Sequence, residues 1–238
     1  MRSFSAPALL SVWDRGQALG ATERALAMLA AATPRATEAE LAGLSLDERD
    51  RRLAAIHAAE FGPQLPAHTQ CPSCSEELEI SPRVADLWSS PDPQAVRIGE
   101  IEVVGRRLRF RLPTSLDLRA VAASPTVEDA RRELVRRCLE DVAEGEVLTR
   151  EGIEAVAGAI SAEAGEADVS IELTCPACGA SWLADLDIGD FLWRELAHEA
   201  RQLLLEIHTL ARAYGWNEAE ILALSSTRRR AYLELVGA

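Results

Sequence analysis

Apolar residues recur at helical spacing along the first quarter of this chain. The stretch 17–60 carries two apolar stripes on either side of a polar connection at 33–37, and this pattern predicts two helices. Gly62 and the prolines around it end the second helix, because neither residue type continues a helix well. The stripes consist of Leu26, Leu29 and Ala30 in the first helix and Leu53, Ile56 and Ala59 in the second.

Helical patterns return in the second half of the chain. They predict helices over 115–123, 127–143 and 150–163. The apolar stripe of the middle helix consists of Val127, Ala130, Leu134, Cys138 and Val142, which makes Cys138 a core residue. A long helix is expected to begin at Asp190 and to end at Gly215, with two short helices after it. The expected capping residues are Ser45 with Glu48, Thr126, Thr149, Asp190, Asn217 with Glu220, and Ser225 or Ser226.

Strand-like alternation occurs in three places. Residues 76–82 and 168–174 each predict a short strand, the first with Leu78 and Ile80 on one face. Residues 101–112 alternate on both sides of Gly105 and predict a β-hairpin. The Pro-rich stretch 89–93 predicts a boundary before it. On the second arm of the hairpin the apolar face consists of Leu108, Phe110 and Leu112, and the opposite face of Arg107, Arg109 and Arg111.

Two C-P-x-C motifs stand 104 residues apart, at 71–74 and at 175–178. The residues that follow them also correspond in character, so we expect an internal repeat of two metal-binding turns, each followed by a strand and the start of a helix. Gly179 follows the second motif and suits a left-handed backbone there, while Ser75 occupies the same place after the first.

This cysteine pattern predicts one structural Zn²⁺ ion. A structural zinc site takes four ligands in a tetrahedron, and each C-x-x-C turn supplies two thiolates. Unrelated core cysteines or a thioredoxin-like redox pair are the alternatives, although a redox pair needs a strand-to-helix placement that neither motif has. His68 lies three residues before the first motif but is not needed for a complete shell. The predicted ligands are Cys71, Cys74, Cys175 and Cys178.

The fold class that follows is α+β and mainly helical, built around a split zinc ribbon. We expect a helical N-terminal region, a first zinc turn with short strands, an inserted hairpin with helices, a second zinc turn, and a helical C-terminal region. The corresponding boundaries are 1–66, 67–97, 98–164, 165–190 and 191–238.

Charge and composition argue against several classes of function. The formal net charge is −13, which repels phosphate backbones and makes nucleic-acid binding an unfavourable interpretation. All 25 basic residues are arginine, so mechanisms that need a P-loop or Schiff-base lysine are excluded. The longest apolar run is too short to cross a bilayer and the N-terminus is a poor signal peptide, so we expect a soluble, cytoplasmic protein.

The remaining candidate chemistry is sparse. No nucleophile elbow, metalloprotease motif or phosphate loop occurs, so we expect no enzymatic activity. His57 is expected on a helix face. His198 and His208 lie ten residues apart, about 280° around a helix, and are predicted not to share a face.

The whole chain resembles a family of zinc-ribbon proteins encoded with phage-tail-like contractile injection systems, the baseplate or hub-assembly proteins. The resemblance rests on four stretches: A-E-F-G-P-Q-L-P-A-H-T-Q-C-P-S-C, R-L-R-F-R-L-P-T-S-L-D-L, L-T-C-P-A-C-G-A-S-W, and the C-terminal H-T-L-A-R-A-Y-G-W-N-E-A-E-I-L-A-L-S-S-T-R-R-R-A-Y-L-E-L. It implies a compact C-terminal unit that binds another subunit of the tail or baseplate, through Trp216, Ile221, Leu224, Arg229 and Tyr232. The alternative is that the two short C-terminal helices simply pack on the long helix before them.

Two functions are consistent with these features of the sequence. The first is a non-enzymatic, zinc-binding structural or assembly factor, an adaptor or chaperone for a baseplate, hub or tail tube. The alternative is a zinc-ribbon module that binds nucleic acid or acts with the transcription machinery, which the acidity of the chain and its lack of basic surfaces with stacking aromatics disfavour.

Overall fold

Helices dominate the structure, a computed structural model that describes residues 4–88, 98–103, 105–140, 149–164 and 169–237. The strands pair in three antiparallel hairpins, β1 with β2, β3 with β4 and β5 with β6. The strands are β1 (Ala67–Gln70), β2 (Glu77–Ile80), β3 (Ile98–Val103), β4 (Arg106–Arg111), β5 (Ser170–Thr174) and β6 (Ser181–Asp185). The helices are α1 (Ala6–Gly16), α2 (Ala21–Ala32), α3 (Glu38–Ala42), α4 (Leu46–Glu60), α5 (Val84–Leu87), α6 (Ser115–Val121), α7 (Val127–Cys138), α8 (Arg150–Ala164), α9 (Ile188–Tyr214), α10 (Glu218–Ala223) and α11 (Ser226–Val236).

The larger hydrophobic core is formed around α9, which packs against α1, α2, α4, α10 and α11. Leucines and an isoleucine at helical spacing place one face of α9 in this core. The helix α1 was not predicted; Ser5 caps it and Leu9, Leu10 and Val12 bury its inner face. Within α2 and α4 the predicted stripes are buried except for Ala30 and Ala59, which are exposed. The buried stripe of α9 consists of Leu192, Leu196, Leu203, Ile207 and Leu210.

Two predicted helix starts are wrong in detail. Ser45 precedes α4, but its side chain makes no capping hydrogen bond, and Glu48 accepts instead from Arg52 Nε at 2.7 Å. Asp187, not Asp190, caps α9, since its Oδ1 accepts from the backbone N–H three residues later, where a cap finds its donor. The other expected caps are confirmed: Thr126, Thr149, Asn217 with Glu220, Ser225, and Gly215 at φ +69°.

A smaller hydrophobic core lies in the insert between the cysteine motifs. The hairpin β3–β4 forms as predicted, with Leu108, Phe110 and Leu112 buried against α7 and α8. The helix α7 ends at Cys138, five residues earlier than predicted, because the chain then turns extended and Glu140 N–H donates to Arg109 O at 3.0 Å. Val127, expected on its apolar stripe, is 86% exposed. Residue 142, the last of that stripe, and the 89–93 boundary lie outside the described residues.

One buried carboxylate, that of Asp117 on α6, joins β4 and α7 to the start of its own helix. Arg111 donates two hydrogen bonds to it, at 2.6 and 3.0 Å, and Arg137 donates a third at 3.0 Å. The backbone and hydroxyl of Thr114 donate two more. Burial raises the pKa of this carboxyl, but the hydrogen bonds from Arg111 and Thr114 outweigh that effect and lower its pKa to about 2.

The same region connects the insert to the larger core. Leu46 N–H at the start of α4 donates to the carbonyl of Pro113 at 2.9 Å, and Ser45 pairs with Thr114. Arg119 on α6 forms a two-pronged ion pair with Glu23 on α2, at 2.6 Å for each hydrogen bond. The position of the insert therefore depends on polar contacts rather than on a shared apolar core.

We predict that Asp117→Asn destabilises the protein by about 2 kcal/mol at pH 7, because a folded pKa about two units below its ordinary value represents that much stabilisation. The stabilisation is complete above the ordinary carboxyl pKa near pH 4 and is lost as the pH falls towards 2. Denaturant unfolding at both ends of this window measures the difference. The exposed control Asp14→Asn is expected to change little. The assignment would be contradicted if Asp117→Asn lowered the free energy of unfolding by the same amount at pH 7 and below pH 3.

The C-terminal helices pack on α9. Ile221 is completely buried in the larger core, and Arg229 is buried beside α9, where it donates to Glu206 at 3.0 Å and to the carbonyl of Leu224 at 2.9 Å. Trp216 and Tyr232 are half-buried, and their rings contact each other edge to face with centroids 4.9 Å apart. Ile221 and Arg229 are thus covered by this chain itself. Partner binding by the predicted C-terminal unit stays a prediction.

The packing of α10 and α11 on α9 should contribute to the free energy of unfolding. Ile221→Ala should lower the free energy of unfolding by about 2–5 kcal/mol, since it leaves a cavity in a closed core. Leu235→Ala, at a position 67% exposed, should change it by no more than about 0.5 kcal/mol. Thermal melting compares the two variants directly. Equal effects would show that the C-terminal helices α10 and α11 are not anchored on α9.

Candidate metal centre

The two C-P-x-C motifs lie in two hairpins that pair in the same register. In β1–β2, Ala67 pairs with Ile80, and in β5–β6 the residues 104 positions later, Ile171 and Ala184, pair with each other. The helices that follow, α5 and α9, also begin 104 residues apart. The expected internal repeat is therefore confirmed for the hairpins and for the helix starts.

Each cysteine turn is closed by matching backbone hydrogen bonds. The N–H of Cys71 donates to the carbonyl of Glu76 and that of Cys175 to the carbonyl of Ala180, both at 2.9 Å. The residue after each motif has a left-handed backbone, with φ +75° at Gly179 and +62° at Ser75. Ser75 is the only described residue other than glycine with a positive φ, so the first turn keeps this shape even without a glycine.

The two turns bring four sulfur atoms together. All four Sγ atoms lie within 4.8 Å of one another. Cys71 Sγ is 3.7 Å from Cys178 Sγ, and Cys74 Sγ is 3.6 Å from Cys175 Sγ. A tetrahedral ion with metal–sulfur bonds of about 2.3 Å requires sulfurs about 3.8 Å apart, whereas a disulfide requires about 2.05 Å. The spacing thus fits ligands of one ion, and the thiols are free.

The two cysteine turns share the same pattern of burial. The first cysteine of each motif is buried, and the second, Cys74 or Cys178, is exposed. The N–H of Ser73 points at Cys71 Sγ, with a nitrogen–sulfur distance of 3.4 Å. The C-x-x-C spacing alone signals this contact, since such a turn aims backbone N–H groups at the first sulfur.

Hydrogen bonds within the cluster give the thiols of Cys71 and Cys74 different pKa values. Burial raises the pKa of Cys71, but the backbone N–H groups of Cys74 and Ser73 and the neighbouring thiols outweigh it and lower the pKa to about 7. A backbone hydrogen bond at Glu76 lowers the pKa of Cys74, yet its contacts with Cys178 and the other thiols raise it to about 12. The cluster therefore favours a thiolate at Cys71 over one at Cys74.

Other candidate ligands lie elsewhere. Cys138 is fully buried in the smaller core, where burial raises its pKa to about 11. His68 projects from β1 with a side chain that is 80% exposed, and it lies 3.9 Å from Glu79 rather than beside a thiol. His57, expected on a helix face, is buried between the rings of Phe61 and Phe191. Among the described residues, only the four predicted cysteines form a group able to hold a metal.

Comparisons with known proteins give no relative from which the role of the metal centre could be transferred. The chain matches no protein-family model, no curated protein and no solved structure. Within the described ranges, no helix is both long and apolar enough to cross a membrane.

We predict that replacing any one of the four clustered cysteines by serine abolishes stoichiometric metal binding and lowers the melting temperature. The reason is that one lost thiolate leaves an incomplete shell at a point where two distant parts of the chain meet. Elemental analysis and thermal melting of the purified variants measure both effects. Cys138→Ala is the control, and it should keep its metal although it removes a buried side-chain atom from the smaller core.

Proposed function

We propose that the cluster binds a single structural Zn²⁺ ion. The observation that carries this proposal is the approach of four Sγ atoms to within 4.8 Å, on two hairpins of equal register. Four thiolates in a tetrahedron suit zinc or iron, and paired C-x-x-C turns are the usual arrangement of structural zinc sites. Cys71, Cys74, Cys175 and Cys178 would be its ligands.

The ion would act as a cross-link between remote segments. Cys74 and Cys175 are 101 residues apart, so binding would close a loop that contains the whole insert. Closing a loop of this length with a covalent link is worth about 4–5 kcal/mol in chain entropy, and a tightly held metal acts in the same way. The ion would also fix both hairpins beside the start of α9.

We further propose a non-enzymatic role, because four protein thiolates would leave no position on the ion for water or substrate. The resemblance of the four sequence stretches to baseplate and hub-assembly proteins supports an adaptor or assembly factor of a phage-like contractile injection system. Its partners would be other subunits of the tail or baseplate. The net charge of −13 favours protein partners over nucleic acid.

Metal analysis tests the first part of the proposal. Protein purified without chelator should contain about one zinc and no iron per chain, since each chain has one four-thiol group. A strong chelator should remove the ion and lower the melting temperature. Less than about half an equivalent of zinc, or a coloured iron-containing protein, would contradict the assignment.

The adaptor role is tested with the protein in its own cells. A tagged chain expressed from its chromosomal position is cross-linked, purified and analysed by mass spectrometry. Tube, hub or baseplate subunits are expected among the partners. Ribosomal or transcription proteins, together with a gel shift of DNA or RNA at low salt, would instead support the nucleic-acid alternative.

A further inference from the structure

The solvent-facing side of α9 carries a row of three arginines, two histidines and one leucine, although the protein as a whole is strongly acidic. Every residue of the row is exposed, and Leu205 near its centre keeps 59% of its surface accessible. No carboxylate interrupts it. We call this surface the basic row; it consists of Arg194, His198, Arg201, Leu205, His208 and Arg212.

The row is straight because of its spacing. Its residues follow one another at intervals of four and three residues in turn, which keeps them within about 40° of one line along a helix. It extends over about 27 Å at 1.5 Å per residue. The prediction that His198 and His208 do not share a face is wrong, because about 280° in one direction is only about 80° in the other. Both are exposed, opposite the buried Leu203.

Few carboxylates neutralise the row. Arg194 pairs with Asp190 one turn earlier, but within the described residues neither Arg201 nor Arg212 forms an ion pair. Glu206 is already bound to Arg229. Glu195 and Glu199 lie on the flank of the helix, about 100–140° from the row, and leave its centre basic.

Exposed arginines on two other helices are arranged differently. On α7, Arg132 lies 3.3 Å from Asp129 and Arg136 lies 2.7 Å from Glu133. On α8, Arg150 lies 3.1 Å from Glu154. These arginines are paired with carboxylates three or four residues away, as on a solvated helix face. The basic row lacks such internal partners at Arg201 and Arg212, so its charge is available to another molecule.

We propose that the basic row binds an acidic amphipathic helix of a partner protein. Alternate intervals of four and three residues keep these side chains along one side of α9, so a second helix lying alongside can contact all of them. Leu205 offers an apolar contact at the centre, and arginines lie on either side of it along the row, as at protein interfaces. Acidic side chains on the partner would complement the row and set its register.

The rest of the surface favours a helix over a nucleic acid. A duplex is a long polyanion, and it would meet the remaining negative charge of this protein as well as the row. A single helix of matching length contacts the row alone. The inference rests on the proposed adaptor function, for which it names the chemistry of the partner segment.

A synthetic peptide tests this. The probe is a labelled helical peptide of about 21 residues, with glutamates along one seam and a leucine at its centre. Fluorescence anisotropy should show binding that weakens as salt rises from about 50 to 300 mM. The double variant Arg201→Glu/Arg212→Glu should weaken binding at least about tenfold, and Leu205→Ala several-fold.

A matched control separates the row from overall charge. The double variant Arg107→Glu/Arg131→Glu changes two exposed arginines off α9 and alters the net charge equally, so its binding should stay within about twofold. Equal losses in both double variants, or no binding by the original protein, would overturn the proposal. So would DNA binding that depends on Arg201 and Arg212 without peptide binding. Zinc content is measured on the same samples, so failure of the metal proposal is seen separately.

Discussion

The meeting of four thiols from two distant hairpins is the constraint on which the rest of the structure depends. Cys71 and Cys178 are 107 residues apart, yet their sulfurs lie 3.7 Å from each other. Two hairpins of four or five residues per strand cannot be stable alone in water. Their position is therefore determined by the cluster at one end and by the helical core at the other, where α5 and α9 continue directly from them.

The insert is organised by a different kind of interaction. Its own apolar core is small, and its connection to the main helices passes through charged and backbone groups around α6. Asp117 gathers two arginines from separate elements, and Arg119 reaches across to α2. Such a connection is directional, since hydrogen bonds and ion pairs fix angles that apolar contacts leave open. It places the insert beside α2 and α4 without requiring the two cores to merge.

Much of this arrangement could be predicted from local patterns. The cysteine spacing identified all four clustered thiols, and the alternation around Gly105 identified the hairpin β3–β4. What local patterns missed depends on tertiary contacts. The end of α7 at Cys138 follows from a strand-like contact with β4, and the burial of Arg229 follows from Glu206 on another helix. The helix α1 likewise depends on the burial of Leu9, Leu10 and Val12 in the larger core, which its short apolar stretch does not indicate by itself.

The order of the ligands along the chain has a consequence for synthesis. A ribosome adds about 5–20 residues per second, so the first cysteine turn emerges several seconds before the second. During that interval the first turn offers two thiolates alone, and an ion bound there would be open to exchange. The second turn is followed by β6 and then by α9, the helix around which the larger core forms. Capture of an ion by the complete cluster would therefore come close in time to formation of the larger core.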